Sequence, residues 1–91
     1  MVYINVRHSV TDYAKWRPFF DKDDARRRAA GATGVYQVYQ DADNPNNITT
    51  LLEWDKAENA QKFAQDPALA KVMEEAGVVG RPALVAILKR T

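Results

Sequence analysis

The chain has 91 residues, 46% of them hydrophobic, with thirteen basic against twelve acidic side chains, a formal charge of +1, and no cysteine. That length has room for one thin core in a single domain spanning residues 1–91, which makes association with a second copy a ready source of stability. The composition excludes a disulfide framework, a thiolate metal site, a cysteine nucleophile and a strong field for nucleic acid, and with no apolar run approaching about 20 residues it argues against a membrane partner, so a soluble cytoplasmic protein is expected.

Residues 2 to 9 alternate. Val2, Ile4, Val6 and His8 share one side of a strand, while Tyr3, Asn5, Arg7 and Ser9 share the other. Thr11 or Asp12 then caps a helix whose Tyr13, Trp16 and Phe20 recur at spacings of three and four, with Phe19 and the alanines from 25 to 30 extending its buried side. Pro18 removes the hydrogen bond to the Ala14 carbonyl and predicts a kink or a restart at that point. Asp21, Asp23 and Asp24 read as solvated carboxylates rather than metal ligands, and Arg26, Arg27 and Arg28 as a solvated helix end, where cations are favourable. Gly31 stops the helix.

Two β-rich runs follow, Val35 to Gln40 and Ile48 to Trp54, with Asp43 to Asn47 as the turn of an antiparallel hairpin. Asp55 and Glu58 resemble a capping box opening a second helix with Ala57, Ala60, Phe63 and Ala64 inward. Asp66 and Pro67 form a fresh cap and first turn, so the helix breaks there and resumes with Leu69, Val72, Met73 and Ala76 inward. Gly77, Gly80 and Pro82 close it, and residues 83 to 88 make a last, nearly all-apolar strand. The order βαββαβ predicts an α+β, ferredoxin-like fold: a four-stranded antiparallel sheet with the helices on one face.

The other face, with Tyr3, Asn5, Arg7, Thr49, Leu51 and Glu53 and with Leu84, Leu88 or their neighbours, is then uncovered. A patch of that kind exceeds what monomers usually leave in water, so the expected partner is a second copy related by a two-fold axis, with Arg7 and Glu53 as polar pairs.

The inner face carries the candidate site. His8, the one histidine, stands at the end of an apolar row, where it is either a core side chain satisfied by a backbone carbonyl or helix group, or a proton-transfer and orienting group. Ser9 points the opposite way, so no serine nucleophile serves it. Trp16, Phe20, Trp54, Phe63 and Met73 are the expected lining of a cleft between sheet and helices, joined by Tyr39 if the second strand turns that side inward. Such a lining suits a small apolar or aromatic molecule, and it is equally the composition of an ordinary core.

The set formed by His8, residues 12–16 (DYAKW), Phe20 and Asp21, Gly31 and Ala32, Asn44 and Pro45, residues 53–55 (EWD), Asn59 and Ala60, Phe63, and residues 76–78 (AGV) resembles the antibiotic biosynthesis monooxygenase-like proteins of the dimeric α+β barrel superfamily. The resemblance covers essentially the whole chain and implies a homodimer with a ligand held between sheet and helices. It also implies an activity of the cofactor-independent monooxygenase type, with a non-catalytic ligand-binding or interaction module as the alternative. The haem-degrading branch of that superfamily does not fit: aligned on the third-strand tryptophan, its catalytic tryptophan and haem-ligating histidine fall at Phe63 and Met73. No cofactor and no metal are expected.

Overall fold

In the first strand, β1 (Val2–Ser9), every second side chain is buried, Ile4, Val6 and His8 on one face, so the alternation in the sequence is realised. The computed structural model describes residues 1–80 and 84–91, so Pro82 as a helix stop, position 83 as the start of the last strand, and the side chain of Leu84 lie outside the described residues. After β1 come α1 (Tyr13–Lys22), α2 (Asp24–Ala30), β2 (Ala32–Asp41), β3 (Asn44–Trp54), α3 (Ala57–Ala64), α4 (Pro67–Glu75) and β4 (Leu84–Lys89). The strands form one antiparallel sheet in the order β2-β3-β1-β4. β1 is central, with Ile4 opposite Leu52 and Ile87, and Val6 opposite Thr50 and Val85. The helices pack on that inner face: Ala60 and Phe63 of α3 join Ile4, Val6, Leu52 and Trp54, while Trp16 of α1 joins Val10, Ile48 and Ala76. This is the α+β ferredoxin-like arrangement expected from the element order.

Local signals set several boundaries. The Asp12 carboxylate accepts from the Ala14 N–H at 3.0 Å and Asp66 from the Ala68 N–H at 2.9 Å, each satisfying a donor that the first helical turn leaves free. Gly31 ends α2 at φ +126°, where a Cβ would stand 2.7 Å from Asp55 Oδ1 and 2.8 Å from Asn59 Nδ2. Glycine is needed there both for its backbone angle and for the close approach of the segment after β3.

Elsewhere the structure departs from the sequence reading. α1 runs through Pro18 without a break, since Pro18 and Ala14 are both exposed and water can replace the missing bond. The interruption comes at Asp23, whose N–H bonds to the Phe19 and Phe20 carbonyls at 3.1 and 3.3 Å. Ala25, Ala29, Ala30 and Phe19 are exposed, and the buried side chain of α2 is Arg27. The hairpin turn is only two residues, with Asp41 opposite Asn44. The asparagines assigned to the turn work as bridges instead: Asn46 Oδ1 accepts from the Tyr13 N–H at 3.0 Å, and Asn47 Oδ1 accepts from Ser9 Oγ at 2.7 Å. The capping box does not form, because Asp55 accepts from its neighbour Lys56 N–H at 2.7 Å and from Asn59 Nδ2 at 3.1 and 3.2 Å rather than engaging Glu58. Arg7 is paired within its own chain, with Asp41 at 2.6 and 2.9 Å, and Glu53 accepts from Tyr3 and Thr33.

Candidate functional site

Leu69, Val72 and Met73 of α4 make an apolar stripe aimed at the sheet, yet no residue of α4 is buried. The helix stands off from the strands, and the gap is a cavity of about 320 Å³. Its floor is Ile4, Val6 and His8 of β1 with Thr50 and Leu52 of β3; Trp16 and Phe20 of α1 and Arg27 of α2 form one wall. Phe63 closes it from α3, and α4 is its roof. Val85 lines it while remaining 49% exposed, which marks the side of the β4 edge as an opening. A volume of this size lies at the small end of the roughly 300–1,000 Å³ typical of ligand sites.

His8 is 5% exposed, and no group among the described residues hydrogen-bonds to either ring nitrogen. Among the described residues, then, the backbone carbonyl or helix group expected to satisfy a core histidine is not in hydrogen-bond reach. Burial pushes its pKa below the ordinary 6.5, because a charged imidazole loses its hydration there and gains no carboxylate in return. At neutral pH the ring carries one donor and one acceptor and no charge. Trp16 holds its face, with ring centroids 5.5 Å apart, and Phe20 continues the row at 5.0 Å from Trp16.

Of the residues singled out in the sequence, His8, Trp16, Phe20, Phe63 and Met73 come together around the cavity. Trp54 and Tyr39 do not. Trp54 is fully buried behind the cavity, its ring centre 5.0 Å from that of Phe63, with an indole N–H that bonds to nothing among the described residues. Tyr39 is 53% exposed on the opposite face, because the inward residues of β2 are Tyr36 and Val38. It is Tyr36, three residues earlier and so on the inner face, that meets Phe20 edge-on at 5.2 Å.

Sequence reasoning missed Thr50 and Arg27. Thr50, 2% exposed, sits on the floor beside Val6 as the natural consequence of register. Arg27, in the run assigned to solvent, is 3% exposed: its guanidinium lies 4.1 Å from the centre of the Phe20 ring and 5.6 Å from that of Tyr36, and donates to the Phe20 carbonyl at 2.9 Å. Its seven-residue spacing from Phe20 was the available signal, placing both on one side of a continued helix. Among the described residues no group of three or more His, Cys, Asp or Glu side chains is placed to hold a metal ion, and no helix is long and apolar enough to cross a membrane.

No protein-family model and no curated protein matches the chain in sequence. Solved structures do match its shape. A Bordetella bronchiseptica protein described as a candidate antibiotic biosynthesis monooxygenase superposes with a TM-score of 0.78 at 12% identity, over 99% of this chain and 96% of its own. SnoaB, a cofactor-independent oxygenase from Streptomyces nogalater, gives 0.70 at 14% identity over 99% and 92%, and Rv0793 from Mycobacterium tuberculosis gives 0.69 at 18% identity over 99% and 94%. The end-to-end coverage at these TM-scores shows that the chain has the fold of the antibiotic biosynthesis monooxygenase-like proteins.

Proposed function

We propose that this protein binds a small, flat, largely apolar aromatic molecule in the cavity between sheet and helices and oxidises it with molecular oxygen without a cofactor. The observation that carries the reading is His8, a buried neutral imidazole at the floor of an aromatic-walled cavity, with neither nitrogen hydrogen-bonded among the described residues. A polar group left unpaired in a core costs about 1–3 kcal/mol, so its retention beside a cavity argues for use. The likeness in shape to SnoaB supports the reaction class.

The chemistry needs little from the protein. A substrate with an acidic CH₂ beside an aryl ketone gives a proton to neutral His8 and becomes a carbanion that the apolar walls shield from water. The carbanion transfers an electron to O₂, and recombination forms a hydroperoxide on the same carbon. The imidazolium gives its proton to the peroxide to make that hydroperoxide, neutral His8 then takes the second C–H proton as hydroxide departs and leaves a ketone, and the proton passes on to the hydroxide, so CH₂ and O₂ become C=O and H₂O.

The same protein is proposed to act as a homodimer through the other face of the sheet. Val35, Tyr39 and Leu88 are exposed there, with Tyr3 and Leu51 between them, and a face of that composition is best covered by its own copy. A monomer mass by light scattering at micromolar concentration would remove the dimer from the proposal.

The test of activity is oxygen uptake with an anthrone-type tricyclic ketone, wild type against His8→Ala, with thermal melting of both. The expected result is uptake lost by a factor of at least about 100, the lower range for a proton-transfer group, with the fold intact. Binding of the tricyclic without uptake in the wild type would instead establish a ligand-binding module, a reading supported by the engagement of both carboxylates that line the cavity among the described residues: Asp23 is held by Arg26 at 2.8 and 3.1 Å, and Asp66 accepts from the Ala68 N–H at 2.9 Å and lies 3.7 Å from Arg26.

A further inference from the structure

The cavity has a second polar end that the proposed chemistry does not use. Arg27 borders it, almost wholly buried, and of its five N–H donors the only hydrogen bond among the described residues is the one from Nη1 to the Phe20 carbonyl. Nη2 is buried and makes no hydrogen bond among the described residues. The two carboxylates nearest to it are already engaged. Asp23, 4.0 Å from Nη1, is gripped in bidentate fashion by Arg26, and Asp24, 3.8 Å from Nη2, is paired with Arg28 at 2.9 Å. Three consecutive arginines thus crowd around these two aspartates, and the one whose carboxylates stand at 3.8 and 4.0 Å, beyond hydrogen-bond reach, is the one inside.

A buried charge whose partners belong to others is expensive to keep, and burial does push this guanidinium below its ordinary pKa. The ring of Phe20 and the edge of Tyr36 supply only part of what water would, since a cation over an aromatic face gains far less than a fully hydrated one. An anion entering the cavity would complete the pairing and meet a planar fork of donors suited to a carboxylate.

The geometry also fixes where that anion sits relative to the reacting end. His8, Trp16, Phe20 and Arg27 form one continuous wall, with separations of 5.5, 5.0 and 4.1 Å between successive groups. Two aromatic rings therefore lie between the imidazole and the guanidinium. From this we infer that the ligand is an aromatic acid: a fused-ring body lying along Trp16 and Phe20, with a carboxylate on Arg27 and an oxygen or acidic carbon at His8. The inference rests on the cavity being the ligand site, and it names Arg27 as the residue that orients the ligand end for end.

The test compares a matched pair of probes, 2-naphthoate and 2-naphthamide, by titration calorimetry on the full chain. They share shape and apolar area and differ in charge. The wild type is expected to bind the acid at least about tenfold more tightly, the scale of a charge-assisted hydrogen bond over a neutral one. Arg27→Met, which keeps the apolar stem, should bring the acid down to the affinity of the amide while leaving amide binding within about threefold. Equal affinities in the wild type, or a preference for the acid that survives in Arg27→Met, would overturn the role of Arg27 while leaving the cavity reading in place. Failure of both probes to bind the wild type would overturn the cavity reading and this inference with it. Should Arg27→Met not fold, Arg27→Lys decides: it keeps the charge but not the fork, and an undiminished preference would show that the fork does not hold the carboxylate.

Discussion

Replacing His8 by phenylalanine should make the protein more stable and useless at once. The neutral imidazole presents one donor and one acceptor, neither paired with another group among the described residues, in a site 5% exposed. Each unpaired buried polar atom costs about 1–3 kcal/mol, partly relieved where the cavity admits water, so removing both should stabilise the fold by about 1–3 kcal/mol. The larger ring has room, since it borders the cavity and keeps its packing against Trp16. For a domain of this length that corresponds to a rise in melting temperature of at least about 4 °C. Urea unfolding should show a higher midpoint at unchanged slope, while oxygen uptake falls to background.

The pH dependence sharpens the test. Because the folded pKa of His8 lies below 6.5, both states are neutral above that value and the group contributes nothing. As the pH falls below about 6.5 the unfolded chain takes up a proton that the folded protein refuses, so stability declines, by at most about 1.4 kcal/mol per pH unit, until the lower folded pKa is reached. The difference in stability between His8→Phe and wild type should therefore widen on going from pH 7.5 to pH 5.5. A variant that is less stable than wild type, or a difference that does not grow on acidification, would refute the reasoning and mark His8 as a satisfied structural residue.

Phe63→Ala removes a ring that touches Trp54, the Arg26 guanidinium at 4.8 Å and the cavity, and should lower stability by about 3–5 kcal/mol in urea unfolding. Gly31→Ala forces a residue into φ +126° and a Cβ into Asp55 and Asn59, so a loss greater than about 1 kcal/mol is expected in the same assay. Pro18→Ala restores an ordinary helix interior at an exposed position where α1 already runs straight through, and should raise the melting temperature without altering ligand titrations. Leu51→Lys places a charge on the uncovered face of the sheet; light scattering should report the proposed dimer for the wild type and a monomer for the variant.

Some of this protein is written in short stretches of its chain. The two-residue rhythm of Val2 to Ser9, the side-chain caps at Asp12 and Asp66 and the glycine at 31 act within a turn or a strand, and each works in the structure as local chemistry requires. Their order was enough for the ferredoxin-like topology, and alternation alone put His8 on the inner face. Periodicity tells which side of an element is apolar, however, and not how far that side stands from its neighbour. The same stripe on α4 would be core if the helix lay against the sheet; it roofs a cavity because the helix stands away. Trp54 and Phe63 were indistinguishable as lining residues until packing put one behind the other. Tyr39 and Tyr36 were separated only by the phase of β2 in the sheet. Arg27 is the sharpest case: counted among its neighbours it is one of three solvated charges, and only the arrival of Phe20 from α1 and Tyr36 from β2 encloses it. Burial of a charge is decided by groups distant in sequence, which is why the Arg27 end of this cavity emerges in the folded molecule and not before.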